Sequence, residues 1–342
     1  MSLSLGDQHS MVLEQDGSVW STAVPSFASS SNLRKGFEQL IPSQATAIAA
    51  GSGYSIVLKQ DGSVWGMGQN NHGQLGDGTK IKKETFVFLE IIPAAHAATA
   101  GRYHSMVLTL YGRVWVTGWN KYGQLGDGSK DDRTTFFRVI TTSTKVISAG
   151  DLHSIALKHD GSVWGTGRNN NGQLGDGTTT DKSSFMKVMA TGAADVTAGG
   201  YHTMVRKRDG SVWTTGWNAY GQLGDGSTTD HSIYIKVLSD GAKAVAAGSQ
   251  HSMILKQDET VWAAGHNLYG QLGDGSIKHR TRFVQVVFSG AQVISAAASH
   301  SMVIKRDGSV WATGSNKHYQ LGDGTTASII SFSKVAQFPN GA

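Results

Sequence analysis

The sequence predicts an all-β protein, a single seven-bladed β-propeller of about 49-residue repeats with four-stranded antiparallel blades. Three observations predict it: a tryptophan recurs seven times at nearly constant spacing, apolar and polar residues alternate within each repeat, and 44 glycines are spread evenly along 342 residues. Alternation with a period of two is typical of half-buried strands, and four short strands per repeat suit a propeller blade. With 39% hydrophobic residues and only 4 prolines, the chain is expected to fold.

The recurring tryptophan sets the period. The seven copies are 45, 50, 49, 49, 49 and 49 residues apart, and they are Trp20, Trp65, Trp115, Trp164, Trp213, Trp262 and Trp311. Five of them close an intact Asp-Gly-Ser-Val-Trp motif, whereas the copies at Tyr111–Trp115 and Asp258–Trp262 are degenerate. A histidine precedes each tryptophan by eleven residues, with Tyr54 in its place in the second copy. These markers define one domain over 1–342 with repeats at 3–46, 47–96, 97–146, 147–195, 196–244, 245–293 and 294–338.

The fourth repeat illustrates the predicted strands. Ile147–Gly150 is a short apolar strand, and in the second strand His153, Ile155 and Leu157 alternate with smaller or polar residues. Asp160-Gly161 predicts a tight hairpin turn, because both residues tolerate a positive φ. The return strand, a long polar turn and a last short strand follow at Ser162–Gly167, Arg168–Ser184 and Phe185–Val188. An α-solenoid is excluded, since no stretch has helical periodicity and glycine recurs every few residues.

The first repeat departs from this pattern. It lacks the glycine-rich element after Trp20 and contains Ser21–Gln44 instead, in which Phe37 and Leu40 are the expected substitutes for the aromatic residue of the outer strand. The chain begins at the start of one repeat and ends at the end of another. We therefore expect the ring to close where the termini meet, with the first and last strands completing either neighbouring sheets or one shared sheet.

Composition narrows the classes of function. The chain has 30 Lys and Arg against 25 Asp and Glu, a net charge of +5, with no basic stripe, so a nucleic-acid partner is not expected. It has no cysteine, no apolar run that could span a membrane and no secretory signal at Met1–Gly6. We expect an intracellular protein, in the cytoplasm or nucleus, with no membrane partner, no cofactor and no small-molecule substrate.

Two repeated groups are interpreted as structural. The His-Ser pair recurs in near-identical copies, and neighbouring residues on a strand point to opposite faces, so it is not expected to be a catalytic dyad or a metal site. Each Gly-Asp-Gly turn offers a single carboxylate, which argues against calcium, and none is followed by the Lys-Ser/Thr of a phosphate-binding loop. We therefore predict no catalytic residue, no metal ligand and no enzymatic activity.

The positions that vary between repeats are more informative about binding. Those just before the histidine, just after the glycine of Gly-x-Asn and just before Gly-Gln-Leu are expected at loop ends. The candidate partner-binding residues at or beside these positions are Arg102, Tyr103, Trp119, Tyr122, Tyr201, Trp217, Tyr220, His266 and Tyr269. Aromatic and arginine side chains are enriched in protein-binding hot spots. A second variable zone, at Lys80–Lys83, Lys130–Arg133 and Lys278–Arg282, is basic and is interpreted as a solvated rim.

The repeated motifs resemble the regulator of chromosome condensation repeat family. They are Gly-x-x-His-Ser, Asp-Gly-x-Val-Trp and Gly-x-Asn-x-x-Gly-Gln-Leu-Gly-Asp-Gly, and the resemblance extends over nearly the whole chain. The last motif occurs at Gly68–Gly78, Gly118–Gly128, Gly167–Gly177, Gly216–Gly226, Gly265–Gly275 and, with Tyr319 replacing a glycine, Gly314–Gly324. The resemblance implies a seven-bladed propeller.

The resemblance also implies alternatives for function. The founding member is an exchange factor for the small GTPase Ran that docks on nucleosomes, but it uses a protruding hairpin and a basic tail, and neither is evident here. A bacterial relative inhibits β-lactamase by capping it with an aromatic-rich propeller face. The motif of the plant UV-B photoreceptor is replaced here by Gly-Arg-Tyr-His-Ser. The favoured function is a non-catalytic protein–protein interaction module that uses the loop face. Two alternatives are nucleotide exchange on a Ran-like GTPase and inhibition of an enzyme by capping it. A third is that the similar repeats reflect recent duplication or design and that the chain has no evolved partner.

Overall fold

The computed structural model describes residues 1–22 and 36–338, and these residues form seven four-stranded antiparallel sheets. Each sheet uses four consecutive strands, so every blade is one continuous stretch of chain. The strands of blades 1 to 3 are β1 Ser2–Leu5, β2 Ser10–Leu13, β3 Val19–Ser21, β4 Glu38–Ile41, β5 Ala45–Ala50, β6 Tyr54–Lys59, β7 Ser63–Gly68, β8 Lys83–Ile91, β9 Ala95–Ala100, β10 His104–Thr109, β11 Val114–Gly118 and β12 Arg133–Ile140.

Blades 4 to 7 follow the same order. Their strands are β13 Thr144–Ala149, β14 His153–Lys158, β15 Val163–Gly167, β16 Lys182–Met189, β17 Ala193–Ala198, β18 His202–Lys207, β19 Val212–Gly216, β20 His231–Leu238, β21 Ala242–Ala247, β22 His251–Lys256, β23 Val261–Gly265, β24 Arg280–Val287, β25 Ala291–Ala296, β26 His300–Lys305, β27 Ser309–Gly314 and β28 Ile329–Gln337. The predicted seven-bladed all-β propeller is confirmed. Within the described residues there is no helix long and apolar enough to cross a membrane.

The hairpin between the second and third strands differs in detail from the prediction. Of the two residues predicted for the blade 4 turn, Gly161 has a positive φ, of 83°, and Asp160 does not. The amide of Gly161 donates to the carbonyl of Lys158 at 3.0 Å. Residues 158–161 therefore form a four-residue turn, and Gly161, its last residue, forms a bulge. Asp160 instead stabilises the turn through its side chain, which accepts from the amide of Ser162 at 2.8 Å.

Neighbouring blades pack through a small residue facing an aromatic ring. A Cβ placed on Gly126 of blade 3 would lie 2.5 Å from Cδ2 of Phe185 in blade 4, so the ring covers the glycine directly. Phe37 does the same at Gly322, with a corresponding distance of 2.7 Å to its Cε2. The expectation that Phe37 substitutes for the missing aromatic residue is confirmed, and Leu40 packs on the core between blades 1 and 2.

A ring of hydrogen bonds links each blade to the next. In the junction of blades 4 and 5, Nε2 of His153 lies 2.9 Å from Oγ1 of Thr203, and Thr203 donates to the carbonyl of Gln173 at 2.7 Å. The hydroxyl has one proton, so Nε2 of His153 must be the donor. Equivalent pairs are His9–Ser55, His104–Ser154, His202–Ser252, His251–Ser301 and His300–Ser10. In blade 2 the Tyr54 hydroxyl takes this place: it donates to the carbonyl of His104 at 2.6 Å and lies 3.2 Å from Oγ of Ser105, which donates to the carbonyl of Gln74 at 2.7 Å.

The ring closes between two complete blades. β1 pairs with β2 in blade 1, and β28 pairs with β27 in blade 7, so no sheet contains strands from both termini. The contact uses His300 and Ser10, together with Phe338, whose ring centroid lies 5.7 Å from those of Trp20 and Phe37. Of the two predicted forms of closure, neighbouring sheets are therefore observed, and the shared sheet is not.

Sequential antiparallel strands place two kinds of loop on one side of the disc. The loop between the first and second strands, such as Gly150–Leu152, and the loop between the third and fourth, such as Arg168–Asp181, emerge together because His153 pairs with Gly167. We call this side the loop face. The hairpins and the connections to the next blade lie on the opposite side.

Candidate protein-binding face

The variable aromatic residues of different blades contact one another on the loop face. Ring–ring contacts, joined across blade 4 by the cation–π contacts of Arg168, lead from blade 2 to blade 6, and we call this set the aromatic arc. Its members are His72, Tyr103, Trp119, Tyr122, Arg168, Tyr201, Trp217, Tyr220, His266 and Tyr269. Arg102 adjoins it, with its guanidinium carbon 5.3 Å from the Tyr103 ring centroid. All nine residues predicted from the sequence thus lie together on this face.

Two matching triads form the centre of the arc. In blade 3 the ring centroids are 5.4 Å apart for Tyr103 and Trp119 and 5.6 Å apart for Trp119 and Tyr122, with interplanar angles of 87° and 85°. In blade 5 the corresponding distances for Tyr201–Trp217–Tyr220 are 5.7 Å and 5.4 Å, with angles of 80° and 78°. Edge-to-face pairs of this kind contribute about 0.5–1.5 kcal/mol each beyond their burial. The half-buried rings of each triad therefore stabilise one another's positions.

Blade 6 extends the arc with two histidines. His266 is only 6% exposed, packs on Tyr220 and stacks on His279 with ring centroids 4.8 Å apart. Its Nδ1 lies 2.6 Å from Nε2 of Gln271, and burial together with the nearby His279 lowers its pKa to about 4. His266 is therefore a neutral support for the arc, whereas Tyr269, 39% exposed, remains accessible to a partner.

The mouth of the central channel opens on the same face. The first loops of the seven blades surround a cavity of about 70 Å³, lined mainly by alanine and glycine backbone. Arg102 and Asp151 face each other there, with Nη1 4.0 Å from Oδ2. Burial, reinforced by the charge of Asp7 and opposed by Arg102, raises the pKa of Asp151 to about 7. The arc therefore surrounds a polar centre with partly compensated charge.

The repeated aspartates form structural contacts instead of a ligand site. Oδ1 of Asp127 accepts from the Asn120 side chain at 3.1 Å and from the Ser129 amide at 2.9 Å, and Oδ2 pairs with Arg133 at 2.6 Å. Burial alone would raise the pKa of Asp127, but Ser129 and Arg133 outweigh it and lower the pKa. Across the described ranges no group of three or more His, Cys, Asp or Glu is placed to hold a metal ion.

Much of the basic rim has a structural role as well. The base that begins the fourth strand pairs with the aspartate of the preceding turn, as Lys83 does with Asp77 at 2.7 Å and Arg280 with Asp274 at 2.7 Å. Lys80 pairs with Asp132 of the next blade at 3.1 Å. Because these charges are compensated within the chain, the rim is a weaker candidate than the arc for partner binding.

Sequence reasoning missed four residues that adjoin the predicted ones. His72 and Arg168 complete the arc, His279 stacks on His266, and Lys317 lies 5.9 Å from the Tyr269 ring centroid. His72 and Arg168 occupy the same variable positions as the predicted aromatics, so a rule based on position instead of residue type would have found them. His279 and Lys317 lie at other loop positions, and their contacts with the arc emerge only from the fold.

The family profile described as "Regulator of chromosome condensation (RCC1) repeat" matches residues 61–108, 111–157, 160–206 and 209–255, and a second profile of the same description matches six segments between 45 and 320. A comparison with curated proteins finds no match.

Solved structures share the fold at low sequence identity. Prp20p of Saccharomyces cerevisiae, whose structure was described with its binding to Gsp1p and histones, has a TM-score of 0.81 and 18% identity over 98% of this chain and 87% of its own. The complex of Kap60 with yeast RCC1 (Prp20) gives 0.79 and 18%, over 90% and 79%. Human WBSCR16 gives 0.80 and 21%, over 92% and 90%. With the profile matching more than half of its residues, this chain belongs to the RCC1-repeat family.

Proposed function

We propose that this chain is a non-catalytic protein-interaction module that binds its partner through the aromatic arc. The observation that supports the proposal best is the series of ring–ring and cation–π contacts on one face. Tyrosine, tryptophan and arginine are enriched in protein-binding hot spots, and tyrosine and tryptophan bury a large area at a low cost in conformational entropy. Rings that are already fixed by their neighbours lose little further freedom on binding.

The fold itself does not need these rings. At the position of Trp119 and Trp217, blade 2 has Gln69 and blade 7 has Ser315, and both blades form the same four strands. The framework residues, by contrast, keep their type in nearly every repeat. Large aromatic side chains at positions where a small polar residue suffices are best explained by a role outside the fold.

The test is a pull-down from a lysate of the source cells with quantitative identification of the captured proteins. We expect the Trp119→Ala/Trp217→Ala variant to lose the specific partner, because removing one hot-spot tryptophan weakens binding by about 2 kcal/mol or more, roughly 30-fold. The matched control is Leu110→Ala/Tyr111→Ala, which removes two exposed apolar side chains from the opposite face. Equal capture by both variants would contradict the proposal.

Nucleotide exchange on a Ran-like GTPase is the alternative that family membership favours. An exchange factor accelerates the release of bound nucleotide and binds the nucleotide-free GTPase most tightly. Stopped-flow release of a fluorescent guanine nucleotide from Ran, with and without this chain, separates the two functions. A rate increase that Trp119→Ala/Trp217→Ala abolishes would assign exchange to the arc, and an unchanged rate leaves the interaction module as the proposal.

A further inference from the structure

Arg168 lies between the two aromatic triads and contacts both. Its guanidinium carbon is 5.1 Å from the ring centroid of Tyr122 in blade 3 and 5.5 Å from that of Tyr201 in blade 5. A cation within about 6 Å of a ring centroid is attracted by the ring. Nε donates to Oδ1 of Asn170 at 2.8 Å, which fixes the plane of the group. The side chain is therefore held in place at the centre of the arc.

Among the residues that the structure describes, Arg168 has no counter-ion, in contrast to the paired bases of the loop face. Arg102 faces Asp151, and the bases that begin the fourth strands pair with aspartates, as Arg133 does with Asp127. Around Arg168, no carboxylate oxygen of residues 1–22 or 36–338 lies within the 4.0 Å of an ion pair. With Nε occupied, the four N–H groups of its two terminal nitrogens remain for a partner.

We propose that Arg168 binds a carboxylate of the partner, from an Asp or Glu side chain flanked by apolar or aromatic side chains that pack on the two triads. This inference rests on the proposed function and specifies the chemistry of the segment that is bound. A planar guanidinium forms two parallel hydrogen bonds with a carboxylate. Rings on both sides exclude water from the pair, and a lower local dielectric strengthens the attraction.

The charges near the channel mouth do not favour the opposite choice, a basic partner side chain. Asp151 already faces Arg102, which compensates its charge, with Oδ2 4.0 Å from Nη1. Asp7 is then the remaining uncompensated carboxylate in the lining of the mouth. The aromatic surface around Arg168 thus presents a positive charge to an incoming segment.

Selection of peptides from a random phage-displayed library on the immobilised full chain tests the inference. We expect the selected peptides to share an Asp or Glu between apolar or aromatic residues. On Arg168→Glu this acidic preference should disappear, and Lys or Arg should replace it. The matched control is Lys121→Glu, because Lys121 is an exposed cation in the loop that contains Tyr122 and the charge change is identical. The control should keep the acidic preference.

A selected peptide then serves as the probe in fluorescence anisotropy. Changing its Asp to Asn, or its Glu to Gln, should weaken binding to the wild type by about tenfold or more, as expected for a partly desolvated charge pair. The same change should have less than about a threefold effect on Arg168→Gln. Melting temperatures within 1–2 °C of the wild type, as expected of a surface substitution, confirm that the variants are folded.

The outcomes separate this inference from the proposed function. Peptides that depend on Trp119 and Trp217 but show no acidic preference, or keep it on Arg168→Glu, would overturn the inference and leave the binding face intact. Peptides that are indifferent to Trp119→Ala/Trp217→Ala, or no enrichment on the wild type, would contradict both.

Discussion

At the scale of single residues, the inter-blade histidines have a fixed protonation state. Five of the six donate from Nε2 to a hydroxyl of the next blade, because that hydroxyl gives its own proton to a backbone carbonyl. The sixth, His9, lies 2.8 Å from Oγ of Ser55. Nδ1 of all six is buried without a hydrogen-bond partner. A second proton would place an uncompensated charge in the interior, and burial accordingly lowers the pKa to about 4 for His9, His104 and His202 and to about 3 for His153, His251 and His300.

These shifts predict that acid destabilises the propeller. Below pH 6.5 these histidines bind protons in the unfolded chain but remain neutral in the folded chain. As the pH falls from 6.5 to 4, each histidine therefore lowers the free energy of unfolding by about 1.4 kcal/mol per pH unit. Asp151, with a pKa raised to about 7, acts in the opposite direction, as do Asp195 and Glu90, whose pKa values burial also raises. Urea midpoints at pH 7.5, 6.0 and 5.0 should therefore fall steeply. An unchanged midpoint between pH 7.5 and 5.0 would show that the histidines are not held neutral.

At the scale of elements, the packing of one blade on the next depends on glycines that face aromatic rings. Gly126 and Gly128 belong to the same turn of blade 3, with φ of 71° and 87°. A Cβ on Gly126 would meet the ring of Phe185, whereas the nearest atom to a Cβ on Gly128 is Oγ of Ser184 at 3.7 Å. An alanine at either position would need the same unfavourable left-handed backbone, but only at Gly126 would its Cβ also clash with a neighbouring ring.

This pair predicts a measurable difference in stability. Gly128→Ala should lower the free energy of unfolding by about 1–2 kcal/mol, the cost of a left-handed conformation for a residue with Cβ. Gly126→Ala should lower it by about 1–3 kcal/mol more, because Phe185 must move. Chemical denaturation of both variants measures the difference. Equal losses would mean that the contact between blades 3 and 4 is looser than the structure indicates.

The first strand is the other element with a specific prediction. β1 pairs with β2 along its whole length, and Leu3 and Leu5 pack on the core between blades 1 and 7. Deleting Met1–Gly6 should lower the melting temperature by about 5 °C or more, since it removes both contributions. Ser2→Ala, which changes an exposed side chain of β1, should leave the melting temperature within about 1 °C. An unchanged value for the deletion would contradict the observed closure.

The sequence predicted the blades well because the framework repeats. The tryptophan period identified all seven sheets, and Phe37 was found because an aromatic residue recurs at that place in the other repeats. Part of the substituted segment of the first repeat, Ser21–Gln44, lies outside the described residues. A tight hairpin turn was predicted at Asp160-Gly161 because both residues tolerate a positive φ, but only Gly161 adopts one, and the side chain of Asp160 instead accepts from the amide of Ser162.

At the scale of the whole molecule, the arc could be predicted only in part. The variable aromatic residues were recognised one repeat at a time, because each lies at a loop end of its own blade. The contacts between blades join residues far apart in the sequence, such as Tyr122 with Arg168 and Tyr220 with His266, and these depend on how adjacent blades are rotated about the axis. The family resemblance supplied the fold but not the partner, for which this face is the proposed binding site.

The central claim is that the loop face, and not the opposite side, contacts the partner. A photoreactive phenylalanine analogue placed at Tyr122, Tyr220 or Tyr111 and activated in the source cells tests this claim most directly. Tyr122 and Tyr220 belong to the arc, whereas Tyr111 is exposed in a hairpin on the opposite face. We predict discrete adducts containing the same partner at Tyr122 and Tyr220 and none at Tyr111. Adducts at Tyr111 alone, or at none of the three positions, would contradict the account.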